Sequence, residues 1–259
     1  MSIKRIQGVF FRYFYTLKDL SQLADVFYWP LVDILLWGLT SLWIQKQADV
    51  PDLPLVLMTG LIFWQITWRG AFGIAYHLLQ EFWQRNLVNF FSTPLRITEW
   101  MCGVLLLGIF KLLISVSFGA FVVYLLYSLN VFTVGWAFIP FALLLYMFGW
   151  TIGFLSSGLI IYWGHKAEMG AWMLPFLFAP FSAVFYPVEI LPIWAQFISW
   201  TLPTTYVFEG MRHILLGNPF PLGYFLISFF LNLFFLFYSS LFFRFMYHKS
   251  LIKGLARLE

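Results

Sequence analysis

Long apolar stretches separated by short polar segments are the most regular feature of the chain. Crossing the hydrocarbon core of a bilayer takes about 20 apolar residues in a helix, and six stretches are candidates. The fifth is shorter than the others and continues into a region broken by prolines. The predicted spans are residues 26–44, 54–78, 100–127, 134–162, 171–188 and 222–247.

The segment before the first span has a different periodicity. Its apolar residues recur at three- and four-residue steps, whereas Lys4, Arg5, Arg12 and Lys18 fall largely on other faces of the helical wheel. This pattern predicts an amphipathic helix within 1–24 that lies in the membrane surface with its apolar face down. A short cytosolic helix that packs on protein is the alternative.

Prolines interrupt the region that precedes the last span. They are Pro175, Pro180, Pro187, Pro192 and Pro203. Each removes an amide donor and disfavours a continuous helix. Inside a membrane, such backbone persists only against protein or a wet cavity. Residues 190–200 and 204–215 are therefore interpreted as the arms of a re-entrant helical hairpin, 189–215, that opens from the outer face.

Composition places the chain among integral membrane proteins. Of its 259 residues, 62% are hydrophobic and only 10% are charged, against about 25% charged residues in a soluble domain. The predicted fold class is all-α, with six transmembrane helices in one domain. The single cysteine, Cys102, excludes an intramolecular disulfide and a cysteine-based metal cluster.

The lysines and arginines indicate the orientation. Eleven of them fall on one predicted side: Lys4, Arg5, Arg12, Lys18, Arg85, Arg96, Lys166, Arg244, Lys249, Lys253 and Arg257. Lys46 and Arg212 fall on the other. Because the more basic side faces the cytoplasm, both termini are expected inside the cell, in the inner (cytoplasmic) membrane. The net charge of +4 is attributed to this orientation in the membrane. We expect contact with membrane lipid and no nucleic-acid partner.

Three charged residues fall inside predicted spans: Asp33, Arg69 and Lys111. Each costs about 2.5–3.5 kcal/mol at the centre of a membrane helix. Counted from the cytoplasmic ends, they lie at depths of roughly 10, 14 and 16 Å. We therefore expect an Asp33–Arg69 pair, with Lys111 snorkelling or lining a wet vestibule. Two roles are considered for these charges: an ion pair that holds the helices together, and a contact with the cargo.

Signatures of enzyme chemistry are missing from the sequence. There is no Gly-Lys-Ser/Thr phosphate loop, so ATP binding by that device is not expected. The four histidines are scattered over loops and span ends, and His165 and Glu168 are better explained by a polar loop than by a metal site. The expectation is a chain that is not itself an enzyme and holds no metal or cofactor.

The cytosolic segment 80–99 is unusually aromatic for a loop. The run QEFWQRNLVNFF can form a short amphipathic helix that ends at Ser92-Thr93-Pro94. Exposed aromatic groups on such a helix suit docking into a groove of a partner protein. A helix lying in the membrane interface explains the same composition.

Two segments resemble the type-2 ABC exporter permeases. Residues 183–212, AVFYPVEILPIWAQFISWTLPTTYVFEGMR, are similar to the segment before the last span of that family, and 85–100, RNLVNFFSTPLRITEW, to its loop between the second and third spans. The resemblance implies that the loop is a coupling helix that seats on a separate ATPase subunit. The implied coupling residues are Arg85, Asn86, Leu87, Val88, Asn89, Phe90 and Phe91, with Lys166 and Glu168 in a smaller counterpart loop.

The same resemblance implies the assembly. Two copies of this chain would form the pathway, and two ATPase subunits, which bind ATP and Mg²⁺, would dock from the cytoplasm. The hairpin would close the outer end. There Glu209 and Arg212 share a helix face at a three-residue spacing, and Glu189 stands at the turn. Solvation of a loop among the headgroups is the alternative reading of these charges.

The cargo is less determined by the sequence. Aromatic residues make up 23% of the chain and suit hydrophobic, lipid-like or drug-like molecules, although sugars of a polysaccharide or lipid-linked glycan also stack on rings. An ATP-independent channel or secondary carrier is the alternative of another class, but matched broken helices in two halves are not seen. Gly149 and Gly153 predict a close helix contact, more readily within one subunit than between two.

Overall fold

The computed structural model of the chain describes residues 1–48, 52–86 and 92–253, and this part is built from helices. The α-helices are α1 Ile3–Phe14, α2 Leu20–Leu23, α3 Trp29–Ala48, α4 Leu53–Trp83, α5 Ile97–Tyr127, α6 Phe138–Trp163, α7 Glu168–Phe178, α8 Ile193–Ser199, α9 Pro203–Leu215 and α10 Leu222–Lys253. A π-helical turn, Ala24–Tyr28, joins α2 to α3, and a 3₁₀ segment, Val131–Ala137, leads into α6.

Five helical segments in the described ranges are long and apolar enough to cross a membrane. They are Leu20–Gln47, Leu53–Trp83, Ile97–Tyr127, Val131–Trp163 and Leu222–Lys253. The predicted all-helical membrane class is confirmed. The predicted span 171–188 is instead occupied by α7, whose 11 residues reach about 16 Å, roughly half of the hydrocarbon core. The count of six crossings is therefore not confirmed.

Backbone geometry explains why α7 stops early. The 3₁₀ turn Pro180–Ser182 follows the helix, and Ala183 then adopts a left-handed conformation at φ 53°. A proline without an amide donor and a residue at positive φ both end a helix. The helix consequently ends after 11 residues.

The amphipathic N-terminal helix is present but shorter than the predicted segment 1–24. It ends at Phe14, and Asp19 has extended backbone before α2 begins. Val9 and Tyr13 are buried, whereas Ile3 and Phe11 are exposed. A β-carbon added to Gly103 would lie 2.7 Å from the Val9 side chain, so α1 lies directly on α5. The helix thus packs on protein with one face and leaves apolar side chains open on another.

α4 and α6 form the centre of the bundle and cross at glycines. A β-carbon on Gly149 would lie 2.5 Å from the Thr67 carbonyl oxygen, and one on Gly70 would lie 3.0 Å from the Gly149 α-carbon. A β-carbon on Gly153 would lie 3.0 Å from the Ala71 carbonyl oxygen. The small residues of the fourth predicted span therefore serve packing within one subunit, as expected.

Both arms of the predicted hairpin exist as helices, α8 and α9. Hydroxyl groups tie them to the turn after α7: Ser199 Oγ donates to the Phe181 carbonyl at 2.6 Å, and Ser182 Oγ and Thr204 Oγ1 lie 2.8 Å apart. Side-chain hydroxyls thus bond to each other and to a backbone carbonyl of the 3₁₀ turn Pro180–Ser182, where the backbone is not α-helical. The depth of this helix pair relative to a membrane stays a prediction.

Candidate translocation cleft and coupling loop

A cleft of about 590 Å³ opens between the start of the first membrane helix, α4 and α7. Its volume falls in the range of about 300–1,000 Å³ that is typical of small-molecule sites. Tryptophans, including Trp64 and Trp68 of α4 and Trp172 of α7, provide much of its wall. Charged and polar side chains also line it: Gln22, Asp25, Asp33, Gln65 and Arg69.

The aromatic wall is built on a four-residue repeat in α4. Trp68 stacks on Phe72 with ring centroids 5.9 Å apart, and Phe72 stacks on Tyr76 at 5.2 Å. From α7, Trp172 meets Phe72 edge-on at 4.4 Å, and Phe176 meets Trp68 at 4.9 Å. Such pairs contribute about 0.5–1.5 kcal/mol each beyond their burial. The rings therefore hold α7 against α4 and fix the shape of the wall.

Arg69 pairs with Asp25, so the predicted Asp33–Arg69 pair is wrong. Arg69 Nη1 lies 2.5 Å from Asp25 Oδ2, and Arg69 Nη2 also donates to the Asp25 carbonyl oxygen. The reason is that the π-helical turn Ala24–Tyr28 continues the membrane helix back to Leu20. This continuation brings Asp25 into the bundle, where the sequence pattern placed the end of a surface segment.

Asp33 lies two turns further along the helix, about 12 Å from Asp25 by helical rise. Its side chain is half-buried and lines the same cleft. No hydrogen-bond or ion-pair partner for Asp33 lies within the described ranges. It is a carboxyl group of a membrane helix that lines the cleft, and the described part of the chain supplies no counter-ion for it.

Lys111 is not at the main cleft, and it does not snorkel to the surface. Its ammonium group donates to Gln22 Oε1 and lies 5.9 Å from the centre of the Tyr76 ring. The side chain is buried and lines a small separate cavity with Asp25 and Arg69. Gln22, two residues before the π-helical turn, therefore holds Lys111 in this smaller cavity.

Gln65 is a second buried polar group at the cleft. The residue is 6% exposed, and neither Oε1 nor Nε2 has a hydrogen-bond partner among the described residues. An unsatisfied buried amide costs about 1–3 kcal/mol. Beside the cleft, the described residues thus leave the Gln65 amide without a partner, with Oε1 turned toward Gly119 of α5.

Beside the predicted coupling loop, residues 80–99, Glu81 joins α1 to the end of α4. The buried carboxylate accepts bonds from Tyr13 Oη at 2.7 Å and Arg12 Nη2 at 2.9 Å. Asn86 Nδ2, in the loop itself, donates to the same carboxylate at 2.8 Å. Burial and the Glu81 charge raise the pKa of Tyr13 above its ordinary value, so its hydroxyl remains a donor.

Glu99 makes the matching connection at the other end of the loop. Its carboxylate accepts from the Ser2 amide at 2.7 Å and the Arg96 amide at 3.1 Å, and Arg5 Nη1 lies 3.4 Å away. Arg5 also donates to the Pro94 carbonyl at 2.5 Å. We call Glu81, Glu99 and their partners on α1 the α1 clamp. It fastens one helix to both ends of the loop.

Sequence reasoning missed the α1 clamp. Glu81 and Glu99 stand at the ends of apolar stretches, where acids are usually solvated, yet both are 1% exposed. A usable signal was present in α1, because Tyr13 places a phenol among the apolar residues of the helix and Arg12 places a cation next to it. Pairing them with Glu81 requires a contact between residues far apart in the sequence.

The predicted coupling residues lie partly in the described chain. Arg85 is exposed, at φ 50°, and Asn86 follows it. Leu87, Val88, Asn89, Phe90 and Phe91 lie outside the described residues. In the smaller loop, Lys166 is exposed and Glu168 begins α7.

At the opposite end of the bundle, Arg212 is buried and ties α9 to the turn after α7. Its Nη2 donates to the Ala183 carbonyl at 2.8 Å and to Glu209 Oε1 at 2.9 Å. Glu209 Oε1 also accepts from the Val188 amide at 2.8 Å. The expected Glu209–Arg212 pair is present, whereas the exposed Glu189 only offers its carbonyl to Gln196.

These features define a multi-pass helical membrane protein with an aromatic cleft. In the described part of the chain, no group of three His, Cys, Asp or Glu side chains could hold a metal ion.

The family model described as ABC-2 type transporter matches residues 10–216. The chain therefore belongs to the ABC-2 type transporter family and is a membrane-spanning permease subunit of an ABC transporter. The comparison with curated proteins gave no match. The range matched by the family includes the cleft, the coupling loop and the Glu209–Arg212 pair.

Proposed function

We propose that the chain is the permease of an ATP-driven exporter that moves a hydrophobic, lipid-like or drug-like cargo across the cytoplasmic membrane. Both termini would face the cytoplasm, on the side of the coupling loop. The cargo would enter the cleft between the first membrane helix, α4 and α7. The aromatic wall supports this assignment because it combines apolar surface with a few polar groups.

The α1 clamp is the observation that carries the proposal. Glu81 and Glu99 hold the last residues of α4 and the first residues of α5 to one helix through bonds of 2.7–3.4 Å. A force applied to the segment between them would therefore move both membrane helices together. That is the mechanical property that a coupling segment needs.

In this proposal, power comes from a separate subunit. Residues 85–91, with Lys166 and Glu168 in the smaller loop, would seat on an ABC ATPase that binds ATP and Mg²⁺. Two copies of the ATPase and two copies of the present chain would form the complex. Closure of the ATPases would push on the loops and open the pathway outward, and hydrolysis would reset it.

The outer end would be closed by the region between α7 and α10. We propose six crossings, with residues 171–188 as the fifth and the re-entrant pair α8 and α9 between it and the last. Arg212 and Glu209 would lock this region, and Glu189 would lie at its outer surface. In this region the Ala183 carbonyl accepts a bond from Arg212, and the Val188 amide donates one to Glu209.

A glycan exporter is the second candidate. Rings such as Trp64 and Trp68, together with the unsatisfied amide of Gln65, also suit sugar stacking and hydroxyl groups. A channel or secondary carrier is the candidate of another class, and it would work without an ATPase.

Isolation from native membranes tests the proposed function. The full chain, tagged and extracted in mild detergent, should co-purify with an ABC ATPase in equal numbers. The complex should hydrolyse MgATP, and removal of the ATPase should abolish transport in proteoliposomes. Transport by the permease alone, driven by an ion gradient, would instead support the carrier.

A further inference from the structure

We propose that the cleft selects an amphipathic organic cation, with Asp33 as its counter-ion and the cleft tryptophans as its aromatic enclosure. The proposal rests on the proposed function in one respect, since it treats the cleft as the cargo site. It goes further by naming the charge and the chemical class of the cargo.

The charges at the cleft do not balance. Asp25 and Arg69 neutralise one another at 2.5 Å. Lys111 is bound to Gln22 behind the wall and lines a different cavity. Asp33 is then left as a carboxylate at the cleft with no cation bonded to it among the described residues. An ionised group inside a membrane is costly unless it is paired or becomes neutral by protonation, and a positive ligand is the occupant that stabilises the ionised form.

The surroundings of Asp33 suit a bulky cation. Trp29 precedes it by four residues on α3, so the two side chains emerge on the same helix face. Trp64 and Trp68 form the facing wall on α4, and all three line the same cleft. Indole rings attract cations through their negative faces, most strongly where water is displaced. Asp33 therefore supplies the charge, and the rings supply the shape and the apolar contact.

Gln65 is a second polar residue in the wall of the cleft. It lies more than nine-tenths buried at the cleft wall, and both atoms of its amide lack partners in the described structure. The amide is closed off from the cleft, with Oε1 3.7 Å from the position of a β-carbon on Gly119 of α5, so a ligand reaches it only after the side chain rotates. Neither Asp33 nor Gln65 has its bonding capacity met by the fold.

Other ligand classes fit less well. An anionic headgroup would face Asp33, while the cation at the cleft, Arg69, is already engaged by Asp25. A neutral sugar could stack on the rings, but it would leave the charge of Asp33 uncompensated. The carboxyl group of Asp33, which has no cation bonded to it among the described residues, is what separates a cationic cargo from these alternatives.

The test uses two hydrophobic ions of nearly equal shape and opposite charge, tetraphenylphosphonium and tetraphenylborate. Binding of each is measured to the full permease in nanodiscs, with empty nanodiscs subtracted to remove partition into lipid. The variants are Asp33→Asn, which removes the charge, and Asp33→Glu, which keeps it. Asp52→Asn removes a carboxylate at an exposed site outside the cleft and serves as the matched control.

We expect tetraphenylphosphonium to bind more tightly than tetraphenylborate. Asp33→Asn should weaken the phosphonium roughly tenfold or more without weakening the borate. Asp33→Glu and Asp52→Asn should retain most of the affinity. Equal affinity for the two ions, no specific binding, or an unchanged phosphonium affinity in Asp33→Asn would overturn the proposal. Loss of binding in Asp33→Glu together with an unfolded elution profile in Asp33→Asn would also count against it.

This experiment separates the inference from the proposed function. Binding is measured on the permease alone, whereas ATPase partnership is measured on the complex. Charge-independent binding with intact ATP coupling would refute the cationic cargo and leave the exporter standing. Phosphonium selectivity in a permease that has no ATPase partner would support the cationic cargo and refute the ATP-driven exporter.

Discussion

The hydroxyl of Tyr13 donates a 2.7 Å hydrogen bond to the carboxylate of Glu81, which lies 68 residues further along the chain. This bond joins the surface helix α1 to the end of the second membrane helix, directly before the coupling loop. Trp100, at the start of α5, donates to the same Tyr13 hydroxyl at 3.0 Å. One phenol thus connects three helices at the point where force would enter the bundle.

The first prediction concerns Glu81. Glu81→Gln removes the charge that Arg12 and Tyr13 bind, and loss of such buried bonds costs about 1–3 kcal/mol. Thermal unfolding of the purified permease, followed by tryptophan fluorescence, should show a clear decrease in midpoint. Glu189→Gln, at an exposed position, should leave the midpoint unchanged. Equal midpoints for both variants would mean that the α1 clamp does not stabilise the fold.

The second prediction tests the corrected ion pair. In a double-mutant cycle of Asp25→Asn and Arg69→Gln, the two effects on stability should couple by about 0.5–3 kcal/mol. A parallel cycle of Asp33→Asn and Arg69→Gln should be additive, since Arg69 is bonded to Asp25 instead. The measurement is the unfolding free energy of the four proteins in each cycle. Coupling in the Asp33 cycle alone would restore the pairing expected from helix depth.

The third prediction compares two glycines. Gly149→Ala places a methyl group 2.5 Å from the Thr67 carbonyl oxygen, and overpacking of this kind costs about 1–3 kcal/mol. Gly73→Ala on α4 meets no atom within 4 Å. It should be neutral or slightly stabilising, because alanine is the better helix former. Thermal midpoints check both variants, and a stable Gly149→Ala would contradict the close crossing of α4 and α6.

The fourth prediction concerns the lock at the far end of the bundle. Arg212→Lys keeps the charge but loses the planar fork that reaches Ala183 and Glu209 together. The buried turn should then open more often. In a Cys102→Ala background, a cysteine at the buried position Val184 should react faster with an impermeant thiol reagent when Arg212 is lysine. Arg244→Lys, at an exposed position on α10, should leave the rate unchanged.

Sequence periodicity predicted the features that depend on local pattern. The long apolar helices, the amphipathic α1, the two helices after the prolines and the close contact at Gly149 all follow from spacing along one segment. The shortened α7 was foreseen only in part, because Pro175 lies inside the helix whereas the actual end comes with Pro180 and Ala183. Local chemistry signals a break without giving the exact position of the reversal.

Contacts between distant segments were less accessible. Arg69 was paired with Asp33 from their estimated depths in the membrane alone. The correct partner, Asp25, was missed because the π-helical turn that carries it into the bundle has no simple sequence signature. Glu81 and Glu99 were missed for a related reason, since their burial depends on α1 covering them. The cleft likewise requires α7 to lie against α4, and its shape becomes visible only when Trp172 and Phe72 are seen in contact.

The central claim is that the segment 85–91 couples this permease to a separate ATPase. Its most direct test is the ATP hydrolysis rate of the reconstituted complex, with and without cargo, for Phe90→Ala/Phe91→Ala. Phe11→Ala, which removes an exposed ring from α1, is the control. The account predicts that the double variant folds and reaches the membrane but loses cargo-stimulated hydrolysis, while Phe11→Ala retains it. Full stimulation in the folded double variant would contradict coupling through this segment.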